Sequence, residues 1–250
     1  MRFLVPFWIA LGLLTRIPAP GIAPPPSEAQ LGRSVLCYPL VGLLLGGLLT
    51  LCAWMSQQAA SSGVGAALLL VAWVWLTGGL HLEGLADSAD AWIGGLGDRE
   101  RALAIMKDPR CGPAAVMTVA LLLLLKFAAL QTVLDLQAPH LLLPPVVLGR
   151  MGIVALFLRL PYVRPNGMGA VAAASLPRSG GWLVLALGAV LVVAGWRLTG
   201  VVLLLVGAGV WYLMQAALAR RFGGTTGDTA GAVCEIMETA LLTALTLNAG

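Results

Sequence analysis

The decapeptide HLEGLADSAD, residues 81–90, places Glu83, Asp87 and Asp90 within eight residues of a chain that is only 10% charged. On a helix their i, i+4 and i+7 spacing puts all three carboxylates on one face, about one turn apart. Three like charges so arranged repel, so the fold must supply a cation or basic groups to neutralise them. Hard oxygen ligands with positions left for water and a substrate phosphate suit Mg²⁺. A charge run at a helix end is more commonly a solvated acidic loop. Here the one-face spacing, directly after the apolar AALLLVAWVWLTGGL, favours a catalytic or ion-binding site. Gly84, Ala86, Ser88 and Ala89 are small, which lets a second helix or a phosphate come close. His81 is a candidate base or ligand, although a lone histidine at a helix end is more often a hydrogen-bonding cap.

A second acidic set lies in GGTTGDTAGAVCEIMETAL, residues 223–241. Asp228 is followed by Glu235 and Glu238 at i+7 and i+10, again near one helical face. The two glutamates would sit roughly 10–15 Å inside an apolar span at 1.5 Å per residue. Ionisable groups at that depth are expensive and default to functional sites. Lys126 in LLLLLKFAAL and Arg150 in LGRMGIV also fall inside apolar runs. The simplest arrangement is a polar pocket where these cations and carboxylates converge, with structural ion pairing as the plainer alternative. Lys107, Asp108 and Arg110, and Arg164 in LPYVRPNGMG, add charge beside the first motif. Mg²⁺ together with Lys and Arg is what charge on a transferring phosphoryl group requires.

The elements that must hold these residues are membrane helices. The 250 residues are 59% hydrophobic with mean hydropathy +0.93. Several runs reach the roughly 20 apolar residues needed to cross a bilayer. They lack period-2 alternation, which excludes a barrel and leaves an all-α polytopic protein. Seven spans are expected, near 34–55, 64–80, 112–134, 139–159, 181–196, 199–219 and 229–248, within one domain covering 1–250. The apolar stretch Phe3–Leu14 is too short to span and lacks an A-x-A-like cleavage site, so it reads as an interfacial or re-entrant helix. Cys37, Cys52, Cys111 and Cys234 form no CxxC pair and read as packing residues. Tryptophans such as Trp54, Trp182 and Trp196 read as interfacial anchors.

Alternation of seven spans puts Arg2, Arg16, Arg33, Arg99, Arg101, Lys107, Arg110, Arg159, Arg164, Arg178, Arg220 and Arg221 on one side. Only Arg197 falls on the other. The positive-inside rule makes the first side cytoplasmic and leaves the C-terminus outside. The first motif and Asp228 share that cytoplasmic face. A net charge of +4 is explained by topology and is not a nucleic-acid signal.

The ordered segments GGLHLEGLADSADAW, DRERALAIMKDPRCGPAAV, LLLLLKFAAL, LPYVRPNGMG and GDTAGAVCEIMETALL resemble the cobalamin synthase family, the adenosylcobinamide-GDP ribazoletransferases. TRIPAP and YPLVGLLLG match its N-terminal pattern, so the resemblance covers nearly the whole chain. It implies an inner-membrane, Mg²⁺-dependent enzyme that joins adenosylcobinamide-GDP to α-ribazole, or to its 5′-phosphate, and releases GMP. The chemistry is similar in outline to that of CDP-alcohol phosphotransferases. The resemblance places Glu83, Asp87 and Asp90 in the family's acidic motif as Mg²⁺ and diphosphate ligands. Lys107, Asp108 and Arg110 stand in its MKDxR element, Arg164 in LPYxRP, and Asp228 and Glu235 in GDxxGAxxE. The family usually has Asp at Glu83, Gly at Ala91 and often Ser at Pro109.

The expected reaction is substitution at phosphorus, with Asp87 or Asp90 as the proton acceptor and Asp228 as a further metal ligand. His81, Lys107, Asp108, Arg110, Lys126, Arg150, Arg164, Glu235 and Glu238 are the expected substrate contacts. Membrane lipid surrounds the chain, and homo-oligomerisation is left open. Two rivals remain. A transporter would use the intramembrane Lys126, Arg150, Glu235 and Glu238 as a path, but would predict inverted repeats that the sequence lacks. A phospholipid-forming CDP-alcohol phosphotransferase would need D-x-x-D-G-x-x-A-R, which is absent.

Overall fold

The computed structural model describes residues 4–21, 25–59, 61–164 and 167–247. Arg2, Pro165, Asn166 and the last three residues, which entered the charge count, the LPYVRPNGMG motif and the last expected span, lie outside the described residues. The chain forms α1 (Val5–Leu14), α2 (Glu28–Leu36), α3 (Tyr38–Ala59), α4 (Ser62–Thr77), α5 (Leu80–Gly94) and α6 (Arg99–Ile105). There follow α7 (Pro113–Asp135), a 3₁₀ turn (Pro139–Leu142) leading into α8 (Leu143–Arg159), α9 (Met168–Ala174), α10 (Arg178–Phe222) and α11 (Gly227–Leu247). No strand occurs among the described residues, so the expected all-α class holds.

Burial separates two central helices from a lipid-facing rim. The most apolar window of α8 is 83% buried and that of α11 67%, against 22% for α7 and 17% for α10. Large apolar side chains such as Leu121, Leu205 and Leu213 stay exposed on the rim, as lipid contact requires. The N-terminal α1 is too short to cross. It buries Ala10, Leu11 and Leu14 in the main core.

The span boundaries shift in three places. The expected span 34–55 is broken at Cys37, so α3 begins at Tyr38 after the separate helix α2. Ser27 caps α2 through a reciprocal capping box with Gln30, which fixes its start. The expected span 64–80 ends at Thr77, where Gly78 and Gly79 take φ of +64° and +69° and turn the chain by 87° into α5. Left-handed backbone at two successive residues is natural only for glycine. The acidic helix α5 therefore leaves the line of α4, and its carboxylate-bearing part lies at the end of the bundle, beside the starts of α7 and α11.

The third shift concerns α10, which is 45 residues long but has φ +50°, ψ −122° at Arg197. Residues 192 and 200 would be about 12 Å apart along a straight helix. Instead, a Cβ on Gly200 would lie 2.5 Å from the Val192 carbonyl oxygen. The helix folds back at Arg197, and its halves correspond to the expected spans 181–196 and 199–219. Among the described residues five helices are long and apolar enough to cross, or six with the bent α4–α5 pair. Dividing α10 at its fold-back brings the crossings to about seven.

Candidate active site

One end of the bundle gathers the chemistry. Asp228 sits in the first turn of α11, where Thr226 and Thr229 cap each other's backbone: each hydroxyl accepts from the other residue's N–H, at 3.2 and 2.8 Å. A carboxylate is favoured at that helix N-terminus by the unpaired amides. Helix α5 crosses this turn at Gly84, where a Cβ would lie 2.6 Å from the Asp228 carbonyl oxygen. The same crossing brings Gly231 against His81, with a hypothetical Cβ 3.1 Å from its Cα. Small residues at both contacts let two acidic elements meet, one role the sequence suggested for Gly84.

The α5 carboxylates have different fates. Asp90 is committed to structure: the Gly112 N–H donates to its Oδ2 at 2.6 Å and the Ala115 N–H to its Oδ1 at 2.9 Å. It thereby closes the N-terminus of α7, whose N-cap Gly112 has no capping side chain. Glu83 is exposed. Asp87 is half-buried, and that partial burial, followed by the charges of Asp228 and Glu83, pushes its carboxyl up to about 6. Arg164 acts in the opposite sense, and the charge of Asp90 adds a smaller upward push.

Glu83, Asp87 and Asp90 share a cavity of about 430 Å³ with Met106, Lys107, Asp108 and Arg110. At its rim Arg110 donates to both Asp108 oxygens, at 2.9 and 3.1 Å from Nε. Those hydrogen bonds hold the Asp108 carboxyl at about 2. Arg164 donates to Asp228 at 2.7 Å and to the Met106 carbonyl at 3.3 Å, tying the start of α11 to the turn after α6.

A second cavity, of about 140 Å³, opens on the other side of Asp228 and Arg164. Its walls include His81, Tyr38, Ile153, Phe157, Tyr162 and Leu14 of α1. His81 is only 3% exposed, and neither ring nitrogen has a hydrogen-bond partner among the described residues. The sequence reading missed these aromatic walls. Tyr38 and Tyr162 did stand in motifs that it singled out, YPLVGLLLG and LPYVRPNGMG.

Lys126, Arg150, Glu235 and Glu238 converge as expected, but on one another. Lys126 Nζ donates to Glu235 at 2.7 Å and to Glu238 at 3.0 Å, and Arg150 pairs with the other Glu238 oxygen. Nζ also sits 4.3 Å from the Trp73 ring centroid. All four are at most 2% exposed, and none lines either cavity. Two positive and two negative charges cancel in this closed knot.

Among the described residues no three His, Cys, Asp or Glu side chains converge into a ready-made metal cage. Of the four expected ligands, Asp90 is taken by α7 and Asp228 by Arg164. The free carboxylates are Glu83 and Asp87. That donor set fits Mg²⁺, which is commonly held by one or two carboxylates plus substrate phosphates.

The profile of the family described as cobalamin-5-phosphate synthase matches residues 6–246. The chain belongs to the cobalamin-5-phosphate synthase family. Relatives named adenosylcobinamide-GDP ribazoletransferase include a Stutzerimonas stutzeri protein, 53% identical over 99% of this chain and 100% of its own length. A Pseudomonas putida protein of that name is 49% identical over 98% of this chain and 99% of its own. One from Pseudomonas fluorescens is 51% identical over 98% and 100%. No solved structure matches the chain. The matched range runs from α1 into α11 and contains every residue that lines the two cavities.

Proposed function

We propose that this protein joins adenosylcobinamide-GDP to α-ribazole, or to α-ribazole 5′-phosphate, and releases GMP. The observation that carries the reading is Asp87, held between other carboxylates in a cavity rimmed by Lys107 and Arg110, in a chain of this family. Attack of a ribazole hydroxyl on the cobinamide-proximal phosphorus forms one P–O bond. The bridging P–O bond breaks, and GMP leaves with its electron pair. Asp87 accepts the hydroxyl proton, a contribution worth about 10²–10⁴-fold. Asp90, with both oxygens engaged, is the weaker candidate for that role. Lys107 and Arg110 reach the diphosphate, and Arg110 exchanges Asp108 for a phosphate oxygen. Glu83 and Asp87, with Asp228 beside them, would hold Mg²⁺, which would supply charge neutralisation on the diphosphate and polarisation of the attacked phosphoryl group when bound.

The chain acts as one catalytic domain in the bacterial inner membrane, with this end facing the cytoplasm and the C-terminus outside. The gathering of Arg16, Arg99, Arg110, Arg164, Arg178 and Arg221 around this end supports that orientation. The test is purified protein in nanodiscs with adenosylcobinamide-GDP, α-ribazole and Mg²⁺. GMP and a new corrinoid should form in equal amounts and stop on adding EDTA. Absence of GMP release in the complete mixture would refute the assignment.

A further inference from the structure

We propose that the cavity between His81, Tyr38, Phe157 and Tyr162 receives the aromatic base of the acceptor nucleoside and sets its ribose hydroxyl against Asp228 and Asp87. The inference rests on the transferase reading and supplies what that reading lacks, a place for the second substrate.

Three independent features support it. The first is size and lining. A volume of about 140 Å³ encloses about one benzene-sized ring, since an apolar cavity of roughly 150 Å³ takes up benzene, so the second ring of a fused base lies toward the cavity's open mouth. Phe157 and Tyr162 stand edge-to-face at 5.9 Å, and Tyr38 and Ile153 add apolar wall. Such walls suit a flat ring system through offset or edge-on contacts. The second is His81, a wall residue of that cavity whose two ring nitrogens are buried without a partner among the described residues, so that a turn of the ring is what brings one of them to a bound ligand. Buried polar groups are almost always satisfied, and an exception calls for an explanation. A benzimidazole nucleoside brings one ring nitrogen that accepts a hydrogen bond and hydroxyls that can donate or accept one, so one bound molecule can satisfy the imidazole.

The third feature is position. Asp228 and Arg164 line this cavity, and both act electrostatically on Asp87 in the acidic cavity. A base seated among the aromatics leaves its sugar at the wall between the two spaces, where the acceptor hydroxyl must meet the diphosphate. The short helix α1, which cannot cross the membrane, supplies Leu13 and Leu14 to the cavity. Closing the base site gives that helix a use.

The experiment measures two quantities in nanodiscs: equilibrium dialysis of α-ribazole alone, and separate KM values for both substrates. Free dimethylbenzimidazole should compete with α-ribazole for wild-type protein. His81→Phe keeps the ring but removes both nitrogens, and Ile153→Phe narrows the cavity from a different helix. Each should weaken α-ribazole binding and raise its KM about tenfold. The KM for adenosylcobinamide-GDP should stay within about twofold, a split that general misfolding would not give. His81→Asn keeps a donor and an acceptor and should recover most of the affinity. Unchanged α-ribazole binding in both Phe variants, or equal movement of both KM values, would overturn the assignment. If the wild type releases no GMP, the transferase reading fails, while dialysis of the nucleoside and its base still decides the pocket.

Discussion

Asp87 is the residue on which the proposed chemistry turns, and its environment has a consequence for pH. A carboxyl with an ordinary value near 4 is pushed to about 6 here, first by partial burial and then by Asp228 and Glu83. The folded state therefore holds this proton longer than the unfolded chain does. As pH rises from about 4 through about 6, the difference removes stability, and above that window the loss is complete. A divalent cation at Asp87 reverses the penalty by binding the ionised form. The thermal stabilisation given by Mg²⁺ should thus be small at pH 5 and fully developed by pH 7.5. Asp87→Asn should remain folded, show no such pH-dependent gain and lose turnover. Thermal scans in nanodiscs with and without Mg²⁺ decide this, and a gain that is equal at both pH values would contradict it. The spacing of Glu83, Asp87 and Asp90 was readable from the chain, but the separate fate of Asp90 was not. Its partners are backbone amides at Gly112 and Ala115, brought near only when the turn after α6 folds back.

At the scale of elements, the site exists because α5 and α11 cross at their small residues. Gly84 meets the Asp228 backbone and Gly231 meets His81, so each helix offers a notch to the other's functional residue. A valine at position 84 would put its branched side chain into that backbone, which cannot yield as a flexible side chain would. Gly84→Val should push α5 away from α11 and widen the gap between Asp87 and Asp228. The expected result is at least a tenfold fall in kcat/KM, with the protein still extracting as a folded monodisperse species. Near-normal activity would mean that this crossing does not set the geometry. The small residues around Glu83 were visible in the sequence. Which neighbour they admit was not, because that depends on the 87° turn at Gly78 and Gly79. The pocket aromatics escaped for a related reason: Tyr38, Phe157 and Tyr162 come from three segments, and no local period links them. The fold-back in α10 was the reverse case. An arginine between two apolar runs marked it plainly, and Arg197 is where the helix reverses.

For the molecule as a whole, the buried charges replace a substrate path with a clamp. Lys126 on α7, Arg150 on α8 and Glu235 and Glu238 on α11 join three helices beneath the two cavities. Charged side chains inside apolar spans were legible from the sequence, and so was their balance of sign. Only the fold shows that they pair with one another, with Nε and Nη2 of Arg150 left without a partner among the described residues. Their energetics follow from the low dielectric. Removing one partner strands an uncompensated charge and costs about 3–5 kcal/mol, whereas replacing the whole set with apolar residues of similar volume is often neutral. Lys126→Met should therefore destabilise the protein strongly, because among the described residues Glu235 loses its one ion-pair partner and Glu238 keeps only Arg150. Combining it with Arg150→Met, Glu235→Met and Glu238→Met should recover much of the lost midpoint in thermal or denaturant unfolding. If the clamp is purely structural, the fourfold variant should also regain GMP release along with its stability. Recovery of stability without activity would instead place one of these charges in the reaction. Because none of them lines either cavity, the structural outcome is the expected one.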